Sequence, residues 1–324
     1  MTILPTSEGK RAGLRHCTDD RGVIAALAMD QRGSLRRALA AASGKAPDAI
    51  GDDELTTFKE HVSRVLTPHA SAILLDPSYG MPAASARADG SGLILAYEKS
   101  GYEATEAERY PTLLPDASAA SLKAAGADAL KVLVYYDPAG PAEVNDRKRD
   151  FVRKLGNECR EADVALFLEP VTFAPDAGAE DLVTGKPERV RATIAEWTRE
   201  DYGVDVLKVE IPVAPAWLAS DLLASREHRQ RVLAAFRDAA AATTRPIVFL
   251  SAGVDMELFV RSLELAAEAG IDFSGVLCGR ATWKGGLDAY ARGGAQGLEA
   301  WLASEGVTNI ERLNAALAQH AHPV

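Results

Sequence analysis

Eight short apolar runs, each closed by polar or turn residues, recur along this chain of 324 residues. They are rich in β-branched residues and too short for free-standing helices, so they predict buried strands of a parallel sheet. The predicted strands cover residues 23–30, 71–76, 93–98, 129–136, 164–171, 206–211, 246–253 and 273–279. The fold must therefore bury eight strands together with the segments that connect them.

Amphipathic segments between these runs predict helices, for example at residues 52–66, 187–197, 219–241 and 256–269. Alternation of strand and helix is typical of βαβ units. Eight such units match a (β/α)8 barrel, and the alternative is an open, doubly wound sheet. A dinucleotide-binding sheet would carry a GxGxxG turn after its first strand, whereas this strand ends in AMDQRG.

The sequence therefore predicts an α/β fold, a (β/α)8 TIM barrel that forms a single domain over residues 1–324. The barrel core is expected at about residues 20–285, and closing C-terminal helices are expected at 286–320. Long connections at 99–115 and 172–187 follow the third and fifth strands. Insertions at this end of barrel strands commonly build or cover an active site.

Composition limits the classes of partner and compartment. Apolar residues make up 47% and charged residues 25%, as in ordinary globular proteins, and the net charge of −10 disfavours nucleic acid or an anionic membrane. No apolar run reaches transmembrane length, and the N-terminus does not read as a signal peptide. Cys17, Cys159 and Cys278 lack paired spacing, which suits a reducing compartment, so a cytoplasmic protein is expected.

Two lysines lie inside apolar strands, Lys131 in the fourth and Lys208 in the sixth. Helices cover the outer face of such a sheet, where an unpaired ammonium would cost several kcal/mol, so both side chains should point inward. A buried lysine near a second cation loses affinity for its proton and can form a Schiff base. The alternative is a pair of structural lysines bound to carboxylates, but the repetition favours catalysis.

Polar residues stand at or near the end of nearly every predicted strand, and these ends converge on one mouth of a barrel. In strand order they are Asp30 and Arg32, Asp76, Glu98 and Lys99, Tyr136 and Asp137, Glu169, Glu210, Ser251, and Arg280. Any one of them could be a solvated strand terminus. Their appearance on eight strands indicates a functional site at the mouth.

An anion site is predicted after strands seven and eight. Small residues at Ser251, Gly253 and Gly279 would let backbone N–H groups approach an anion, and Arg280 supplies a planar charged fork. This is the usual phosphate position of the barrel, although small residues can also serve only to make tight turns. A phosphate site beside buried lysines and Glu169 suggests covalent chemistry on a phosphorylated carbonyl compound.

Metal-dependent chemistry is less expected. The six histidines lie away from the predicted strand ends, and no HxH or HExxH occurs at one. No metal and no cofactor are therefore predicted. The sequence does not exclude one alternative, a magnesium ion held by carboxylates.

At these residues the chain becomes recognisable. The runs AMDQRGSL, LLDPSYG, LAYEKSGY, ALKVLVYYD, ECREADVALFLEP, DVLKVEIPV, LSAGVDMELF and GVLCGRATW, in collinear order over residues 23–285, resemble the tagatose 1,6-bisphosphate aldolase family of class I enzymes. The resemblance implies a (β/α)8 barrel. It also implies cleavage of a ketohexose bisphosphate into dihydroxyacetone phosphate and glyceraldehyde 3-phosphate without a metal.

The resemblance also implies roles for individual residues. Lys208 looks like the Schiff-base lysine that attacks C2, Glu169 like the acid/base, and Lys131 like the second cation. Asp30, Gln31 and Arg32 would contact the substrate or orient Lys131, and Ser251, Gly253, Gly279 and Arg280 would hold the C1 phosphate. Spacing alone does not choose between the two lysines as nucleophile. The resemblance makes that choice.

Two other functions remain open at this point. Pro170 follows the glutamate where the tagatose enzymes are expected to carry an aliphatic residue, and it looks more like the related sulfofructose phosphate aldolases. That reading gives cleavage of 6-deoxy-6-sulfofructose 1-phosphate, although the AYEKSGY and LCGRATW runs favour the tagatose branch. The second alternative is a sugar-phosphate sensor on an aldolase scaffold. The intact set of Lys131, Glu169 and Lys208 argues against a purely binding role.

The sequence leaves the far end of the substrate and the assembly open. Arg109, Lys99 and Arg87 are candidate contacts for a second anion, although the sequence favours solvated surface charges at each of them. A loose site would accept tagatose and fructose bisphosphates alike. A homo-oligomer is compatible with the apolar residues of helix 256–269, which equally suit a core.

Overall fold

Eight parallel strands close a barrel in chain order in the computed structural model, which describes residues 7–99 and 108–324. The strands are β1 (Ile24–Met29), β2 (Ala72–Leu75), β3 (Gly92–Ala96), β4 (Ala129–Tyr136), β5 (Ala165–Thr172), β6 (Val206–Val209), β7 (Ile247–Leu250) and β8 (Gly275–Cys278). Each of the eight predicted runs contributes one strand, so the predicted (β/α)8 barrel is confirmed.

Fourteen helices lie around the barrel within the described residues. They are α1 (Glu8–His16), α2 (Gly33–Ser43), α3 (Asp52–Leu66), α4 (Met81–Ser85), α5 (Ala119–Ala124), α6 (Ala142–Glu161), α7 (Ala179–Thr184), α8 (Lys186–Trp197), α9 (Ser220–Leu223), α10 (Arg226–Ala241), α11 (Met256–Glu268), α12 (Arg280–Trp283), α13 (Gly286–Trp301) and α14 (Val307–His320). One π-helical turn, Leu302–Gly306, joins α13 to α14. The predicted closing helices at 286–320 are thus present.

The prediction of one helix at 219–241 was wrong, because the segment forms α9 and α10 with a break at residues 224–225. Ser225 starts the second helix by accepting a hydrogen bond from the backbone N–H of His228. The predicted connection at 172–187 contains α7. The connection at 99–115 and the end of the AYEKSGY run fall partly outside the described residues.

The barrel interior is apolar below the mouth. A buried cluster fills it and includes six alanines, and Leu14 of α1 reaches it from the N-terminal end. The alanines are Ala26, Ala28, Ala72, Ala96, Ala129 and Ala165. A second and larger cluster packs the helices against the outside of the strands.

Charged side chains lie directly above this interior cluster, because strand residues two apart face the same side. On three strands a buried interior residue is followed two positions later by a charged one: Ala129 by Lys131, Phe167 by Glu169, and Val206 by Lys208. The strand pattern thus carries three long charged side chains to the C-terminal mouth. In residues 7–99 and 108–324, no helix combines the length and apolar character needed to cross a membrane.

Candidate active site

A cavity of about 470 Å³ opens at the C-terminal mouth of the barrel. Seven of the ten predicted site residues line it: Asp30, Gln31, Arg32, Lys131, Glu169, Lys208 and Arg280. Glu98, Lys99, Arg37, Leu133 and Tyr135 contribute further wall. Polar residues from six of the eight strand ends therefore meet at one site, whereas Asp76 after β2 and Ser251 after β7 are absent from the described cavity wall.

Lys131 is held by three carboxylates. Its Nζ lies 2.8 Å from Asp30 Oδ2, 2.6 Å from Glu98 Oε1 and 2.7 Å from Glu169 Oε2, and its side chain is 1% exposed. Burial alone would lower the pKa of Lys131, but the charges of Asp30, Glu169 and Glu98 raise it well above the usual value for lysine. Lys131 is therefore a permanent cation and a poor nucleophile.

Lys208 has a different environment. Its Nζ lies 3.0 Å from Glu169 Oε2, and among the described carboxylates only Glu169 pairs with it. Glu169 Oε2 is thus shared between the two strand lysines. Because β5 lies between β4 and β6 in the barrel, its glutamate reaches a lysine on either side. Of the two lysines, the geometry favours Lys208 as the one free to react.

The pKa values of Asp30 and Glu98, the other two carboxyls around Lys131, are shifted in opposite directions. At Asp30 burial would raise the pKa, but the positive charges of Lys131 and Lys208 lower it below the usual aspartate value. At Glu98 burial raises the pKa, and the opposing charge of Lys131 does not cancel that effect. Asp30 is therefore ionised, and Glu98 is the weaker acid.

A buried lysine that the sequence analysis missed fixes the loop after β1. Lys59 of α3 donates from Nζ to the carbonyl oxygens of Met29 (2.7 Å) and Gln31 (2.8 Å), and it forms a fully buried ion pair with Asp76. Arg32 donates from Nη2 to the carbonyl oxygen of Glu98 at 2.8 Å. These contacts set the direction in which the loop presents its side chains to the cavity.

The predicted anion residues cluster around Arg280, which lines the cavity. Gly253 has φ +82°, and a Cβ built on it would lie 2.8 Å from Arg280 Cζ, so the guanidinium packs directly against the glycine backbone. Gly279 approaches Gln31 Nε2 in the same way, at 3.3 Å from a built Cβ. The described cavity wall does not include Gly253, Gly279 or the buried Ser251.

The candidate contacts for a second anion occupy three different places. Lys99 lines the cavity. Arg109 stacks on Tyr135 and Phe173, with its Cζ 4.5 Å and 4.2 Å from the two ring centroids. Arg87 donates a hydrogen bond to the carbonyl oxygen of Ser91 just before β3, at the opposite end of the barrel, so of the two interpretations only the one outside the substrate site fits it.

Within residues 7–99 and 108–324, no three His, Cys, Asp or Glu side chains are grouped so that they could hold a metal ion. The carboxylates of the cavity gather around Lys131 instead.

Known proteins of similar sequence were identified by two comparisons. The sequence model described as "DeoC/LacD family aldolase" matches residues 24–285. A protein named "Tagatose 1,6-diphosphate aldolase" from Listeria monocytogenes serovar 1/2a is 42% identical over 325 residues, covering 99% of this chain and 95% of the relative. "Tagatose 1,6-diphosphate aldolase 2" from Enterococcus faecalis is 44% identical over 323 residues, with 98% and 96% covered.

A solved structure has a similar fold. It is described as "The mechanism of the Schiff Base Forming Fructose-1,6-bisphosphate Aldolase: Structural analysis of reaction intermediates" and superposes with a TM-score of 0.53. The match covers 89% of this chain and 96% of the other at 15% sequence identity, so it speaks for the fold alone. The family match over most of the barrel and the full-length relatives show that this chain belongs to the DeoC/LacD family of aldolases.

Proposed function

We propose that this protein is a class I aldolase that cleaves D-tagatose 1,6-bisphosphate, and fructose 1,6-bisphosphate as well, into dihydroxyacetone phosphate and glyceraldehyde 3-phosphate. One observation carries the proposal: Glu169 Oε2 lies between a lysine fixed as a cation and a second lysine with no other carboxylate partner in the described chain. The full-length relatives that carry the tagatose aldolase name support the same substrate.

The reaction begins at Lys208. Its neutral amine attacks C2 of the keto sugar to give a carbinolamine, and Glu169 then protonates the C2 hydroxyl, which leaves as water. The product is an iminium on Nζ. Glu169 Oε2 is 3.0 Å from Lys208 Nζ. It is therefore close enough to donate a proton to the hydroxyl oxygen on C2, the carbon bonded to that nitrogen.

Cleavage then uses the iminium as an electron sink. Glu169 removes the proton of the C4 hydroxyl, the C3–C4 bond breaks, and its electron pair moves into the iminium to give an enamine. Glyceraldehyde 3-phosphate leaves with C4 as its aldehyde carbon. Protonation of C3 and hydrolysis of the iminium release dihydroxyacetone phosphate and restore the Lys208 amine.

The remaining residues orient the substrate. Lys131 keeps its charge throughout, because three carboxylates hold it, and it attracts the substrate's hydroxyl oxygens. Asp30, Gln31 and Arg32 face the same space from the β1 loop. Arg280 is proposed to hold the C1 phosphate with the backbone around Ser251, Gly253 and Gly279, which fixes C2 against Lys208 and converts binding into orientation.

The sulfonate substrate finds little support in the cavity. Pro170 motivated that reading, but it is the neighbour of the inward-facing Glu169, so its ring faces the covering helices. A comparison of kcat/KM for the bisphosphate and for 6-deoxy-6-sulfofructose 1-phosphate measures the preference. A sugar-phosphate sensor would bind these ketoses without turnover.

Borohydride trapping tests the proposal. Reduction in the presence of dihydroxyacetone phosphate should attach the three-carbon unit to the peptide that contains Lys208, and turnover should survive EDTA. Lys208→Met should abolish the adduct, whereas Lys154→Met, which changes an exposed lysine of α6, should leave it intact. An adduct on another lysine, or activity lost to EDTA, would overturn the assignment.

A further inference from the structure

Glu98 has no part in the mechanism above, although it lies at the centre of the site. Its Oε1 is 2.6 Å from Lys131 Nζ, and its side chain lines the cavity. Its other oxygen, Oε2, is buried and neither accepts a hydrogen bond nor forms an ion pair with residues 7–99 or 108–324. Glu169 Oε2 also accepts no hydrogen bond, but it lies within ion-pair distance of both Lys131 and Lys208. A buried carboxylate oxygen without a donor is costly when the group is ionised, so this geometry favours a proton on Glu98.

The charges around Glu98 also favour its protonated form. Asp30, Glu98 and Glu169 share the ammonium of Lys131, and three carboxylates around a single ammonium repel one another when all are ionised. Arg32 donates its hydrogen bond to the backbone carbonyl of Glu98, and its charge, like that of Lys131, lowers the pKa of the Glu98 carboxyl against the larger effect of burial. Burial raises the pKa of Glu98 more than Lys131 lowers it, whereas at Asp30 the lysine charges outweigh burial. Carboxyls with divergent pKa values divide the roles of acid and base.

Formation of the Schiff base consumes one proton. A neutral amine, a ketone and one proton combine to give one iminium and one water. The departing oxygen takes one hydrogen from the amine and one from an acid, and the positive charge stays on nitrogen. When the iminium forms, a site that stores this proton keeps its total charge constant.

We propose that Glu98 is the proton store of this site, protonated while Lys208 is a neutral amine and ionised while Lys208 is an iminium. Glu98 gives its proton to Lys131 while Lys131 gives one of its own protons to Glu169. Lys131 is therefore an ammonium both before and after the transfer. Glu169 delivers it to the C2 oxygen, and hydrolysis of the iminium returns it. Glu98 acts through Lys131 and is a positioning residue. This inference rests on the proposed function.

The distances allow this relay. Lys131 Nζ donates a hydrogen bond to Glu98 Oε1 at 2.6 Å and lies 2.7 Å from Glu169 Oε2 in an ion pair without a hydrogen bond. The first proton therefore crosses an existing hydrogen bond, and the second crosses the ion pair once the ammonium turns an N–H toward Glu169. A purely structural role, in which Glu98 only neutralises Lys131, would make no difference to proton exchange with the solvent. That difference separates the two roles.

Proton uptake on binding of dihydroxyacetone phosphate provides the test. Calorimetry at pH 7 in two buffers of different ionisation enthalpy counts the protons, and Lys208→Met corrects for protons taken up by phosphate binding alone. Relative to that variant, the wild type should take up none. Glu98→Gln cannot release a proton and should take up close to one, with trapping of the adduct slowed about 100-fold. Equal uptake in the wild type and Glu98→Gln would overturn the proposal.

Infrared difference spectroscopy gives a second measurement that does not need the Glu98 variant to fold. Binding of dihydroxyacetone phosphate labelled with ¹³C at C2, which moves the ketone band to lower frequency, should remove the C=O band of a protonated carboxyl in the wild type, and binding to Lys208→Met should not. If no such band is lost, the proposal is wrong. An absence of any trapped adduct in the wild type would overturn the proposed function and this inference with it, whereas an adduct with unchanged proton uptake in Glu98→Gln would overturn this inference alone.

Discussion

Nζ of Lys208 lies 3.0 Å from Oε2 of Glu169, so a single carboxylate oxygen is within proton-transfer distance of the proposed nucleophile. The same oxygen is 2.7 Å from Lys131 Nζ. One atom therefore joins a lysine that is fixed as a cation to a lysine that must be neutral to attack.

Glu169→Gln should lower kcat for tagatose 1,6-bisphosphate by about 100- to 10,000-fold, because glutamine keeps the size of the side chain but cannot exchange a proton. The borohydride adduct with dihydroxyacetone phosphate should still form on Lys208, only more slowly. Steady-state kinetics and mass spectrometry of the reduced protein measure both effects. Glu210→Gln is the control, since Glu210 accepts hydrogen bonds from Thr172 at 2.7 Å and is absent from the described cavity wall. An equal loss in both variants would argue against a proton-transfer role.

Gly253→Ala should raise KM by about 10- to 100-fold, since a displaced arginine loses a charge-assisted hydrogen bond to phosphate worth roughly 1.5–3 kcal/mol. The new Cβ would stand 2.8 Å from Arg280 Cζ. Gly90→Ala is a matched control, because Gly90 has φ +85° against +82° at Gly253 and no atom within 4 Å of a built Cβ. Both glycines have a left-handed φ of similar size, so alanine is disfavoured by the backbone at either position and only the first variant should weaken substrate binding. A similar KM in the two would contradict the proposed anion site.

Lys59→Met should destabilise the protein by about 3–5 kcal/mol, because it leaves Asp76 buried without its partner. The pair has no exposed side-chain surface, and Lys59 also binds two carbonyl oxygens of the β1 loop. Urea unfolding at pH 7 measures the change. Lys45→Met removes a half-exposed pair with Glu54 at 3.5 Å and should cost less than about 1 kcal/mol. If Lys59→Met cost no more than Lys45→Met, the β1 loop would not depend on this ion pair.

Lys148→Met should stabilise the protein at pH 7 by about 2 kcal/mol, and the gain should disappear at higher pH. Burial lowers the pKa of Lys148 to about 8, and the charges of Asp137 and Glu108 offset this only in part. Between about pH 8 and the unfolded value of about 10.4, the unfolded chain binds more protons, so wild-type stability rises with pH. Urea unfolding of both proteins at pH 7 and pH 10 measures the difference. A gain of equal size at both values would show that packing, and not the charge, is responsible.

Much of the fold could be predicted because the local pattern and the tertiary structure agree. Every predicted apolar run holds a strand, and the parity that puts Lys131 and Lys208 inward follows from their strand positions. The resemblance to the tagatose aldolase family is confirmed by the family match and the full-length relatives. Ser225 is a good helix-capping residue and could have predicted the break before α10, but hydrophobic periodicity alone does not detect caps.

Other features depend on contacts between elements that are far apart in the sequence. Lys59 stands on the apolar face of α3 beside Leu55 and Val62, so the unexpected charge was visible, but its partner Asp76 was not. Ser251 is buried and absent from the described cavity wall, which Arg280 at the start of α12 does line. The roles of the site residues, and the assignment of all 324 residues to one domain, stay predictions.

The alanine-rich interior beneath the mouth has a consequence for redesign. Small side chains at that level leave room for the long methylene chains of the lysines. The size of the alanines beneath therefore determines how deep in the barrel each amine lies. Enlarging an interior alanine would lift or tilt the nucleophile even though no polar contact had changed. New substrate preferences are therefore better sought at rim positions such as Arg37 and Lys99.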